Sequence, residues 1–163
     1  MQIILLFLLL CFSPAVWAMG HLPTQMSSDP LIGKPAPDAV LIKTDGTSSS
    51  IMSSRQGKKA ILIFWATWCP HCYEELGAVN ENIASVGKKG IKIILVDLGE
   101  TLEVVKNYFD QRQMHLTSFI DVDSFLQGTY HLEGIPTIIF IDEKGIIRNV
   151  THAFPSDYVQ YFK

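Results

Sequence analysis

The sequence predicts an α/β layer fold with a partly parallel central sheet, and three observations carry that expectation. First, AILIFWA at 60–66, IKIILVDL at 91–98 and TIIFI at 137–141 are apolar almost throughout, as strands covered on both faces are. Second, the stretches between them are long enough, and periodic enough, to be helices packed on such a sheet. Third, the chain has 163 residues, of which 48% are hydrophobic, which suffices for one domain with a proper core.

Taken in order, the chain opens with an apolar run from Ile3 to Phe12, followed by Ser13 and Pro14, with Val16 and Ala18 in the pattern of a cleavage site. Residues 1–18 therefore form a secretory signal peptide, which removes Cys11 when it is cut. An uncleaved anchor is the alternative, but the run is short against the ~20 residues that a spanning helix needs. Contact with a membrane is expected only if the leader stays on. Residues 19–30, rich in Pro, Ser and Gly, form a linker or arm, and the folded domain occupies 31–163. DAVLIKTDGTSSSIMS then gives two short strands around an Asp45-Gly46 turn, an N-terminal β-hairpin.

After the strand at 60–66 comes WATWCPHCYEEL, residues 65–76. Cys72, Leu76, Val79, Ile83 and Val86 are spaced by four, three, four and three, which draws one apolar stripe along a helix that Gly87 ends. Pro70 suits the first turn, where its missing N–H would have had no intrahelical partner. A second helix runs from Thr101 to about Arg112, with Leu102, Val105, Tyr108 and Phe109 inward. TIIFIDEKGIIRNV forms an antiparallel hairpin at one side of the sheet, and only SDYVQYFK remains for a terminal helix.

The net charge of −3 leaves no basic footprint for nucleic acid or for an anionic membrane surface. Partners must be argued from the cysteines. A structural disulfide between Cys69 and Cys72 closes so small a loop that it adds only ~2 kcal/mol. A structural zinc site needs four ligands, and no second C-x-x-C or paired histidines supply them. A redox dithiol accounts for the buried strand, the site at its end and the helix that follows. At the helix N-terminus the unpaired N–H groups lower the Cys69 pKa and make it the nucleophile. Cys72, one turn in, is the shielded resolving thiol. His71 can add stabilisation to the Cys69 thiolate, or be only an exposed spacer.

FWATWCPHC after an apolar strand, followed by GIPTIIFID, resembles the thioredoxin superfamily, and its exported TlpA/ResA-like branch in particular, over roughly 32–150. The resemblance implies a central mixed β-sheet flanked by helices, a thioredoxin-like fold extended by the N-terminal hairpin. It makes Cys69 the attacking thiol, Cys72 the resolving thiol and Pro136 a cis-proline facing them. Trp68, Pro70, His71 and Ile135 become part of a partner-binding surface. Thioredoxins carry a buried Asp six residues before the first cysteine, where this chain has Ile63; the branch instead places a Glu three residues after the second, where Glu75 stands. Glu75 lies at the rim of the apolar stripe and could accept the Cys72 proton, whereas Glu74 points away.

The implied activity is thiol:disulfide exchange with protein thiols and disulfides, in an exported and most simply periplasmic protein. An upstream thiol donor or acceptor is required, and no cofactor or metal. A reductase is favoured, with a cytochrome c maturation-like role, because the helical insertion of the DsbA type is missing and Ile135 precedes Pro136. The alternatives are a DsbA-like oxidase, which shares the C-P-H-C dipeptide, and a non-catalytic metal-binding module, for which the C-x-x-C spacing is wrong. A peroxiredoxin would want P-x-x-x-T-x-x-C, which does not precede Cys69.

Overall fold

A computed structural model describes residues 29–163; the expected signal peptide and most of the arm lie outside the described residues. Seven strands form one mixed sheet: β1 Val40–Lys43, β2 Ser48–Ser50, β3 Lys59–Trp65, β4 Ile91–Leu98, β5 Ser118–Asp121, β6 Thr137–Ile141 and β7 Ile147–Thr151. Their spatial order is β2-β1-β5-β4-β3-β6-β7. β3, β4 and β5 run parallel, and β1, β6 and β7 each pair antiparallel with their neighbours. The three apolar runs occupy β3, β4 and β6, with β3 and β4 adjacent at the centre, where both faces are covered and continuous apolar sequence is required.

The helices are α1 Ile51–Ser54, α2 Pro70–Lys88, α3 Leu102–Gln111 and α4 Phe125–Thr129, with a terminal 3-10 helix at Tyr158–Phe162. One face of the sheet presents Ile61, Ile63, Trp65 and Leu95 to α2, α3 and the 3-10 helix, which contribute Leu76, Val79, Val105, Phe109 and Tyr158. The other presents Leu62, Phe64, Ile94 and Val96 to Leu31, to Ile51 of α1 and Leu126 of α4, and to Tyr130. The short terminal segment thus covers only a corner of the first face. The second is closed by two short helices and by the N-terminal segment, which the Tyr130 hydroxyl holds by donating to the Pro37 carbonyl at 2.6 Å.

The N-terminal hairpin forms around Gly46, whose φ of +83° only glycine adopts freely. Its second strand is shorter than expected: Ile51 begins α1 instead, because the Ser50 side chain caps the helix by accepting from the Ser53 N–H. α2 outruns Gly87 and stops at Lys88, with the positive-φ turn falling on Gly90. Along its stripe Cys72, Leu76, Val79 and Val86 are buried, while Ile83 is 40% exposed. α3 matches its expected span, capped by Thr101, with Val105, Tyr108 and Phe109 inward. β5 and α4 were not evident in the sequence. Each has five residues or fewer, too short for a period to show.

Candidate active site

β3 delivers the chain to the C-terminal end of the parallel strands, where Ala66, Thr67 and Trp68 turn it into α2. Cys69 is the N-cap, in extended conformation, and its Sγ accepts from the Cys72 N–H at 3.2 Å; Pro70 opens the helix. Cys69 and Cys72 are joined as a disulfide, their Cα atoms 5.2 Å apart. In this state both are buried, at 4% and 0% exposure, so the difference between them lies in helix position more than in cover. Cys72 packs with Leu76 and Val79 against β3, as its place on the stripe requires.

The Ile135–Pro136 peptide is cis, and it brings the Ile135 carbonyl oxygen to 3.7 Å from Cys69 Sγ. Two side chains brace this loop. The Thr137 hydroxyl donates to the Gly134 carbonyl at 2.6 Å, and His152 Nδ1 lies 2.9 Å from the Pro136 carbonyl oxygen. Beside the disulfide an open groove of about 380 Å³ is lined by Trp68, Leu98, Gln127, Leu132 and Ile135 among others. Trp68, at 68% exposure, forms one wall of it; Pro70 and His71 are also exposed. Glu75 is half-buried and its Oε2 accepts from the Phe154 N–H at 2.6 Å, while Glu74 is exposed. All eight residues singled out in the sequence therefore stand on or beside α2's first turns and the Ile135–Pro136 loop.

Four participants were missed. The Glu100 carboxylate accepts from both the Thr67 N–H, at 2.5 Å, and the Thr67 hydroxyl, at 2.6 Å, and so grips the turn that leads into Cys69. Beneath it Asp97 is wholly buried with neither carboxyl oxygen hydrogen-bonded. Burial first, and then the neighbouring Glu100 carboxylate, push its pKa up to about 8. A visible signal existed: an acid inside the otherwise buried run IILVDL has no business there unless something nearby needs it. His152 and Phe154 could not be found, because only the tertiary fold brings β7 and its sequel to α2. Among the described residues no group of three or more His, Cys, Asp or Glu side chains is arranged to hold a metal ion.

The arrangement provides a disulfide at a helix N-terminus, a backbone carbonyl near Cys69 Sγ, and a groove walled by an exposed indole. The AhpC/TSA family model matches residues 32–150. The thiol-disulfide oxidoreductase ResA of Bacillus anthracis is 35% identical over 114 residues, which is 70% of this chain and 65% of that protein's length. The exposed lipoprotein thioredoxin Etrx1 of Streptococcus pneumoniae superposes with a TM-score of 0.66 at 28% identity, covering 77% of this chain and 98% of that one. StoA from Bacillus subtilis superposes with a TM-score of 0.66 at 24% identity, covering 80% and 99%. The fold is thioredoxin-like.

Proposed function

The chain belongs to the AhpC/TSA family, and from that premise we propose that it is an exported thiol:disulfide oxidoreductase of the ResA kind, acting as a reductase of protein disulfides. The observation that carries this reading is Cys69 Sγ at the N-cap of α2, 3.7 Å from the Ile135 carbonyl oxygen and beside the Trp68 groove. In the reduced protein the helix N-terminus favours the Cys69 thiolate. That thiolate attacks one sulfur of a partner's disulfide; the mixed bond forms as the partner's bond breaks, and the released sulfur takes up a proton. Cys72 then loses its proton, with Glu75 as acceptor, and attacks Cys69 Sγ. The internal disulfide forms and the partner's second thiol departs. The partner has gained two electrons and two protons, and an upstream thiol donor must return them to the dithiol.

The partner's chain would lie along the groove between Trp68 and Ile135, with Pro136, Pro70 and His71 bounding it. The similarity to ResA, the leader expected from the sequence of 1–18 and the lack of a DsbA-type helical insertion support an extracytoplasmic, periplasmic reductase, and the ResA resemblance extends this to a cytochrome c maturation-like role. Two experiments test the reading. With limiting iodoacetamide, the reduced protein should be alkylated mainly at Cys69, and Cys72→Ser should accumulate a mixed disulfide with an oxidised peptide; equal labelling of both thiols would overturn the assignment. Equilibration of the Cys69/Cys72 pair with glutathione should give a strongly reducing value, whereas an oxidising one would assign the DsbA-like role instead.

A further inference from the structure

β4 carries an acid where its neighbours are apolar. Asp97 lies between Trp65 of β3 and Ile120 of β5 in register, on the face that α2 and α3 cover. It is 0% exposed and both carboxyl oxygens lack a hydrogen-bond partner. An ionised carboxylate left so is costly, and a protein keeps such a group only when it is neutral or when it serves a neighbour. The neighbour is Glu100. After β4 the chain turns at Gly99, whose φ is +81° and whose N–H donates to the Asp121 carbonyl at 2.9 Å, and this turn brings Glu100 beside Asp97 and against Thr67.

We propose that a protonated Asp97 donates its O–H to the Glu100 carboxylate, and that Asp97, as a positioning residue, thereby holds Glu100 on the Thr67 turn and sets Cys69 in place for exchange. The kinetic part of this inference rests on the oxidoreductase reading; the structural part does not. While Asp97 is protonated, its O–H is available to the Glu100 carboxylate and no buried charge is left uncompensated. When it ionises, two like charges meet, one of them wholly buried. Of the two, half-buried Glu100 is the one that can swing to water, and in doing so it releases both bonds to Thr67, two residues before Cys69.

The charged and titratable surroundings do not offset this. Asp121 at the end of β5 adds a further negative charge to Asp97. On α3, Tyr108 faces Glu100, and Arg112 sits over the Tyr108 ring at 3.9 Å. Cys69 and Cys72, as a disulfide, carry no proton. The value of about 8 for Asp97 places the release within reach of ordinary buffers.

The test uses the full chain in its disulfide form, in which no thiol titrates. The Thr67 amide resonance, followed by NMR from pH 6 to 10, should stay downfield at neutral pH and move in one step centred near 8; in Asp97→Asn, which can donate to Glu100 at every pH, the step should vanish. A Thr67 amide that does not move in the wild type, or a step that persists in Asp97→Asn, would overturn the pair. The wild-type titration stands by itself should the variant fail to fold. In the reduced proteins, the wild-type exchange rate divided by that of Asp97→Asn should fall about tenfold between pH 7 and 9, following the protonated fraction of a group that titrates at 8. A constant ratio would remove the positioning role, and an NMR step in a chain with no exchange activity at any pH would overturn both that role and the oxidoreductase reading.

Discussion

Glu75 and Glu74 are adjacent acids just past the first turn of α2, yet they occupy different surroundings. Glu75 is half-buried and holds the Phe154 N–H at 2.6 Å, whereas Glu74 points to solvent. In the proposed mechanism the Glu75 carboxylate takes the Cys72 proton, directly or through one water. Glu75→Gln is therefore expected to keep the fold, slow disulfide exchange and alter its pH profile, and Glu74→Gln to do neither. Stopped-flow exchange from pH 4 to 9 checks this, and identical behaviour of the two variants would reduce Glu75 to a helix-terminus charge. Glu75's place was legible from helical spacing alone. Its partner was not, because a backbone N–H 79 positions away leaves no mark on local sequence. Asp97 lies between these cases: its oddity shows in the sequence, and its reason only in the fold.

The β6–β7 hairpin illustrates how an element secures its own turn. Asp142 is 6% exposed; its Oδ1 accepts from the Ile146 N–H at 2.9 Å, and its Oδ2 from Arg148 Nε at 2.8 Å and Nη2 at 2.6 Å. Burial alone would raise its pKa, but the Ile146 N–H and the Arg148 guanidinium outweigh it and hold the carboxyl below the ordinary aspartate range. A group lowered in the folded state contributes stability above its unfolded value and loses it as pH falls through the folded one. Asp142→Asn should thus cost about 1–3 kcal/mol at pH 7 in urea unfolding, with the difference from wild type shrinking below about pH 4. At this scale the long periodic elements were readable: β3, β4, β6 and α3 fall where their patterns put them. The end of α2 was not, since glycine is tolerated inside a helix and only the backbone reveals that Gly90, not Gly87, takes the positive φ. The small connecting elements β5 and α4 owe their form to tertiary contacts: Asp121 accepts from the Phe125 and Leu126 N–H groups and so starts a five-residue helix with no period of its own.

For the molecule as a whole, Asp97 inverts the usual relation of a carboxylate to stability. Its folded value near 8 lies above the ordinary 3.8, so between those limits the native state binds a proton that the unfolded chain has lost. Stability from this residue falls as pH rises through that window and is fully forfeited above it. Asp97→Asn should accordingly gain on wild type steadily from pH 5 to 8 in denaturant midpoint; a gap that is flat or that narrows would contradict the buried neutral acid. The layer architecture was legible because three strands are buried on both faces and say so in composition. The cover of the second face was hidden, for it is assembled from Leu31, Ile51, Leu126 and Tyr130, which lie in four separate short segments.

The sheet's connectivity also imposes an order in time. β1 finds its place only beside β5, at Ile42↔Ile120, and the segment before it crosses to the far edge, where Gly33 and Lys34 bond to Ile147 and Ala36 to Gly145. A chain emerging amino end first therefore presents its hairpin and its Pro-rich approach before any neighbour exists to receive them. Closing such distant pairings is slow because loop entropy is spent before the contacts return it. β3 with β4, and later β6 with β7, can associate locally, so the central strands assemble while the earliest residues wait. The region made first is the last to be locked, and pulsed hydrogen exchange during refolding should find amide protection at Leu62 and Ile94 before it appears at Ile42.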